Sequence, residues 1–143
     1  MDGQGPHAGR RLGDHRVAGH RVRGGGPVSA PACISPFDVV DGQFEAYNSQ
    51  NLSAFMTFYA DDAVLADFNG AITANGAEAI RARHEKLFAD FPQNKAELMA
   101  RVIIGSRVID HERVARIPGG DTFEVAAIYT ISDAKIVRVD FVK

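Results

Sequence analysis

Three observations in the 143-residue sequence predict an α+β domain, with three N-terminal helices packed on one face of a strongly curved, mostly antiparallel sheet. Apolar residues recur at helical spacing in three stretches before Pro92. Beyond Pro92 the chain changes to segments rich in β-branched residues, divided by Gly105-Ser106, by Pro118-Gly119-Gly120-Asp121 and by Ser132-Asp133. Helices first and successive strands afterwards place the helices together on one face of the sheet. Such an arrangement encloses a cone open at one end, and the cone becomes a small-molecule site once polar groups point into it.

The elements follow in order. Ser35 is an N-cap residue and Pro36 fits the first helical position, after which Phe37, Val40, Phe44 and Tyr47 share a face. Asn51 caps a shorter helix with the stripe Leu52, Phe55, Met56 and Tyr59. The strand "AVLADF" runs into the Asn69-Gly70 turn. In "NGAEAIRARHEKLFADFP", Asn75 is the cap, Glu78 completes a capping box and Phe91-Pro92 ends the helix. Four strands, "KAELMARVIIG", "RVIDHERVARI", "TFEVAAIYTI" and "KIVRVDFV", complete the domain.

Composition bounds the function. Residues 1–34, dense in Gly, Pro, His and Arg without helical or strand period, read as a disordered basic extension, and 35–143 as one domain. That domain carries 11 Lys and Arg against 16 Asp and Glu, so neither nucleic acid nor a membrane surface is an expected partner. No apolar run approaches the ~20 residues of a membrane span. The one cysteine, Cys33, rules out an internal disulfide, and a reducing, cytoplasmic location is expected. No HxxxH or CxxC spacing, phosphate loop or nucleophile elbow occurs, so no metal and no cofactor is expected.

The succession of two helices, "YADDAVLAD", a "GAEAIRARH" helix and four strands resembles the nuclear transport factor two-like superfamily, in its SnoaL-like and ketosteroid-isomerase branch, over residues 36–143. The resemblance implies the cone fold, an acid/base activity of isomerase, cyclase or hydrolase type, and a homodimer through the outer sheet face, including Met99 and Arg101. It puts Asp67 at the place of the catalytic base. The family's isomerases pair that base with a Tyr and a protonated Asp, whose carboxyl stays neutral so that it can donate a hydrogen bond to the enolate oxygen. By ungapped comparison those two positions fall on Gln43 and Ala127. Gln43 retains a hydrogen-bond donor; Ala127 has none. The other reading of Asp67 is a strand-end residue that caps the Asn69-Gly70 turn.

His84 stands mid-face among Ala77, Ile80, Leu87 and Phe91, either as a core histidine or as a pocket donor, and the family's pocket-lining tyrosine at this place favours the second. Alternation in "RVIDHERVAR" puts Val108, Asp110, Glu112 and Val114 on one face and Arg107, Ile109, His111, Arg113 and Ala115 on the other. The resemblance turns Asp110, Glu112 and Val114 inward, while a one-residue slip would turn His111 inward instead. Asp67, His84, Asp110 and Glu112 are thus the catalytic candidates, the crowded acids raising one another's pKa. The ligand-binding wall is assigned to Gln43, Phe44, Tyr47, Phe55, Tyr59, Phe88, Val114, Phe123, Val125, Ala127, Tyr129, Val139 and Phe141. Such a wall suits a small hydrophobic ring-bearing molecule, turned over by acid/base chemistry or, alternatively, only bound.

Overall fold

The computed structural model describes residues 34–143. The disordered basic extension expected over 1–34 falls outside them except for Ile34, and so does Cys33. Helix α1 (Pro36–Asn48) starts as anticipated: the Ser35 side chain accepts from the Asp38 N–H, and the Asp38 carboxylate accepts from the Ser35 N–H in a reciprocal capping box. Helix α2 (Leu52–Met56) is capped by Asn51, whose side chain accepts from the Ala54 N–H. Strand β1 (Tyr59–Asp67) then begins earlier than the apolar run suggests, taking in Tyr59. Strand β2 (Ile72–Asn75), which the sequence reading does not contain, pairs antiparallel with β1.

Asn75 ends β2 and therefore cannot cap the next helix. The N-cap of helix α3 (Ala77–Asp90) is Gly76, which makes no side-chain cap and holds φ at +96°, a conformation open to glycine. Strands β3 (Lys95–Ile104), β4 (Arg107–Ala115), β5 (Thr122–Ser132) and β6 (Lys135–Val142) follow. The six strands form one sheet in the order β2-β1-β6-β5-β4-β3, antiparallel except for the β1/β6 pair. The α+β assignment and the curved, helix-covered sheet stand as expected.

Helix packing divides the apolar stripes. On α1 the core face is Val39, Val40, Gln43 and Ala46, whereas Phe44 and Tyr47 are half-buried and Phe37 is exposed. On α3 the buried residues are Ile80, His84 and Phe88. A main cluster that includes Val40, Phe55, Tyr59, Leu65, Ile80, Ala127, Tyr129, Ile136 and Val139 forms the core. A smaller one, Ala96, Val114 and Val125, lies between β3, β4 and β5 with Phe44, Tyr47 and Phe141 packed on it.

Strand β3 corrects one sequence assignment. Its ladder with β4 slips between Leu98 and Ala100, so Met99 is the extra residue of a bulge and Arg101 pairs with Asp110. One inserted residue flips everything beyond it to the other face. Arg101 therefore turns inward, its side chain 8% exposed, and is no part of the outer face to which it was assigned. Val102 and Ile104 are exposed, and Val102 lies opposite Ile109 on the outward-facing set of β4.

Candidate functional site

Between the helices and the inner face of the sheet lies a cavity of about 380 Å³. Gln43, Phe44 and Tyr47 of α1, Tyr59 and Leu65 of β1, His84, Leu87 and Phe91 of the α3 segment, and Glu112, Val114, Phe123, Val125, Tyr129 and Phe141 of the sheet line it. Arg83, Lys86, Asp90, Arg116 and Lys143 supply charged groups.

The alternation of β4 decides the acids. Val108, Asp110, Glu112 and Val114 are buried and His111 is exposed, so the acids face inward. They then part company. Asp110, fully buried, is gripped by Arg101 through Nε–Oδ1 and Nη2–Oδ2 bonds of 2.6 and 2.9 Å, and Arg101 reaches Asp41 on α1 at 3.1 Å. A carboxylate so paired is a structural anion, and it lies outside the cavity lining. Glu112 does line the cavity, and its carboxyl makes no hydrogen bond to any described residue. Burial, reinforced by the Asp110 charge and opposed by Arg101, pushes its carboxyl up to about 7.

His84 also lines the cavity. Its Nδ1 lies 2.8 Å from the Ile80 carbonyl, which can only accept, so Nδ1 carries the proton and Nε2 is left as an acceptor. Phe55, Phe88 and Tyr47 surround the ring at centroid distances of 4.5, 6.0 and 6.3 Å. Burial among these rings lowers the imidazole pKa to about 4, against the Ile80 bond, so His84 is neutral at pH 7. A buried chain of hydroxyls and amide completes the wall: Tyr59 O–H donates to Gln43 Oε1 at 2.9 Å, and Gln43 Nε2 donates to Tyr129 Oη at 3.4 Å. That leaves the Tyr129 proton without an acceptor among the described residues. Burial first and the Glu112 charge second raise the pKa of both tyrosines, which keeps them neutral donors.

Several assigned positions fall elsewhere. Asp67 is exposed and outside the lining. The regular alternation of β1 breaks just before it, where Leu65 and Ala66 are both buried and the register with β2 slips, so the next side chain is re-aimed. The turn beyond it is closed by backbone: Gly70 N–H donates to the Asp67 carbonyl at 2.8 Å, and Asn69 takes φ of +58°. Phe55, Ala127 and Val139 belong to the core cluster and Phe88 meets Tyr47 and His84 edge-on, and none of these four lines the cavity to which they were assigned. Gln43, Tyr47, Tyr59, Val114, Phe123, Val125, Tyr129 and Phe141 do line it.

The charged groups were missed. Arg116 follows Glu112 and Val114 at two-residue spacing, and that inward parity is a signal the sequence carries. Its guanidinium lies 4.9 Å from the Phe123 ring centroid and 6.0 Å from that of Phe91, and donates to Asn94 Oδ1 at 2.7 Å. Among the described residues, no cluster of His, Cys, Asp and Glu has the form of a metal site. No helix among them is long and apolar enough to cross a membrane.

Three helices on a curved sheet around a cavity define a class, the cystatin-like cone folds of the nuclear transport factor two-like superfamily. Within it the chain belongs to the SnoaL-like domain family, whose pattern matches residues 40–139. An uncharacterized cystatin-fold protein from Novosphingobium aromaticivorans is 29% identical, with a TM-score of 0.73 over 78% of this chain and 100% of that one. A Sinorhizobium meliloti protein provisionally named a polyketide cyclase is 26% identical, with a TM-score of 0.62 over 73% of this chain and 93% of that one. A ketosteroid isomerase-like fold from Catenulispora acidiphila, solved in complex with trimethylamine, shares the fold at 19% identity and a TM-score of 0.60, covering 73% and 83% of the two chains. No curated protein gives a significant match.

Proposed function

We propose that the domain is a cofactor-independent acid/base enzyme that moves a proton on a small hydrophobic carbonyl compound, with Glu112 as the group that takes and returns it. The observation that carries this reading is Glu112 itself, a buried carboxyl on the cavity wall, free of hydrogen bonds to described residues and poised near neutrality. A carboxyl with a pKa near the working pH serves as base and then as acid. In the proposed step the carboxylate removes a proton from the carbon beside a carbonyl, and the C–H electron pair moves onto the carbonyl oxygen. Tyr129 O–H, held by Gln43, donates to the developing oxyanion and takes the part of the side chain that Ala127 lacks. Glu112 then returns the proton at the same carbon or at a conjugated one.

Proton exchange tests this without knowledge of the natural substrate. Cyclic ketones such as 2-tetralone, incubated in D₂O, exchange their α-hydrogens at a rate that NMR reads. Wild type accelerates exchange, Glu112→Gln loses on the order of 10²-fold, and Asp67→Asn keeps the wild-type rate. Undiminished exchange by Glu112→Gln would sink the assignment. No acceleration over buffer would favour the second reading, a ligand-binding module, which the missing donor at Ala127 supports. A homodimer through the outer face is part of the same proposal, with the exposed Val102 and Ile104 as its apolar surface.

A further inference from the structure

Four of the 11 basic side chains of this acidic domain, Arg83, Lys86, Arg116 and Lys143, border one cavity. Lys86 is answered by Asp90 at 2.8 Å, and Arg83 donates to the Thr73 hydroxyl. Arg116 is the telling one. Of the four half-buried arginines described, Arg101 holds Asp110 and Asp41, Arg113 holds Glu97 and Glu124, and Arg138 holds Asp140. Arg116 has no carboxylate partner among the described residues. It is instead held in place by neutral groups: the rings of Phe123 and Phe91, Asn94 Oδ1 at 2.7 Å and the Tyr47 hydroxyl at 3.4 Å. Asn94 is fully buried, so the guanidinium has a rigid anchor on one side and the cavity on the other. A planar guanidinium fixed by aromatic faces and left without a counter-charge is built to receive a carboxylate in two parallel hydrogen bonds.

We propose that the ligand of this cavity is a ring-bearing carboxylic acid whose carboxylate pairs with Arg116 while its apolar body lies against Phe44, Val125 and Phe141. This rests on the reading of the cavity as a ligand site and adds the substrate class to it, an oxo acid in place of a neutral ketone. The anionic end and Glu112 must then sit at different depths, since a carboxylate beside Glu112 would meet a like charge. The basic groups around an otherwise acidic domain also draw an anion toward the opening, an effect that salt screens.

Binding of 2-naphthoate and of its uncharged isostere 2-naphthamide tests the proposal apart from any turnover. Calorimetry on wild type is expected to show the carboxylate bound about tenfold or more tightly than the amide. Arg116→Gln abolishes that preference by weakening naphthoate alone, whereas Asp67→Asn, at an exposed position outside the cavity lining, keeps it. Because Arg116 also packs on two rings, its NMR Nε–H resonance in wild type gives a readout that needs no variant: it shifts with naphthoate and stays with naphthamide. Equal binding of the two probes, binding of neither, or an Arg116 resonance indifferent to naphthoate would each overturn the anion site. A retained naphthoate preference with no proton exchange on any ketone or oxo acid would leave the site standing and remove the enzyme reading alone.

Discussion

Glu112 and His84 lose water in the same cavity, and that one cause shifts them oppositely because one is charged when deprotonated and the other when protonated. For Glu112, the folded carboxyl holds its proton up to about pH 7 while the unfolded one releases it near 4.5. Between those values the native state binds more protons, so stability falls as pH rises, by on the order of 3 kcal/mol, and is level above. For His84, the folded imidazole stays neutral down to about pH 4 while the unfolded one charges at 6.5, so stability falls as pH drops across that window. The two slopes oppose each other where they overlap. Urea unfolding of Glu112→Gln should therefore show stability climbing from pH 4 to 6.5 without a later decline, and His84→Phe should show the decline alone. Matching pH profiles for wild type and Glu112→Gln would mean that Glu112 titrates as a solvated acid.

Arg101 ties elements together. It joins β3 to Asp110 of β4 and to Asp41 of α1, and its guanidinium lies 5.2 Å from the Phe37 ring centroid. Removing one partner leaves a charge buried and unanswered, so Arg101→Ala should cost about 3–5 kcal/mol in chemical unfolding, and the paired change Arg101→Met with Asp110→Leu should regain much of it. A loss under about 1 kcal/mol would place the pair in water, as for a surface bridge. At the junction of β2 and α3, Gly76→Ala should cost about 1–2 kcal/mol, since alanine adopts the positive φ only under strain. A thermal midpoint unchanged by that substitution would show that the junction relaxes. The same scale explains two sequence misreadings. Asn75 looks like a cap because nothing in "ITAN" announces a four-residue edge strand, and the bulge at Met99 is invisible until β3 pairs with β4.

For the whole molecule, a cavity between helices and sheet means that the core divides into two clusters and the domain lacks the apolar filling of a solid one. Under the dimer proposal, such a domain would gain apolar burial by covering its exposed Val102 and Ile104 with a second copy. The dimer proposal predicts that Val102→Asp, at an exposed position outside the cavity lining, moves the sedimentation equilibrium toward monomer at micromolar protein. Arg101→Ala should leave association intact wherever the protein stays folded, because Arg101 faces inward. A wild type that sediments as a monomer at the same concentration would refute the proposal.

Local pattern in the chain was enough to establish the α+β class, the Ser35 and Asn51 caps, the two-residue alternation of β4 and the place of His84 on the sheet-facing side of α3; which face of β4 turns inward, and that His84 borders the cavity, were expected from the family resemblance. A 3.6-residue period, a two-residue alternation and a capping hydroxyl or amide are each complete within one element. Which of the four candidate groups share the cavity was settled only by contacts between elements. Asp67 was lost to a broken alternation at Leu65 and Ala66, Asp110 to an arginine brought inward by a bulge on the neighbouring strand, and Arg116 was found beside Phe91 and Phe123, from other elements. Each of those outcomes depends on what stands across a strand pair or a helix–sheet contact. Charge state follows the same rule, since the water that sets the pKa of Glu112 and His84 is excluded by residues distant in the chain.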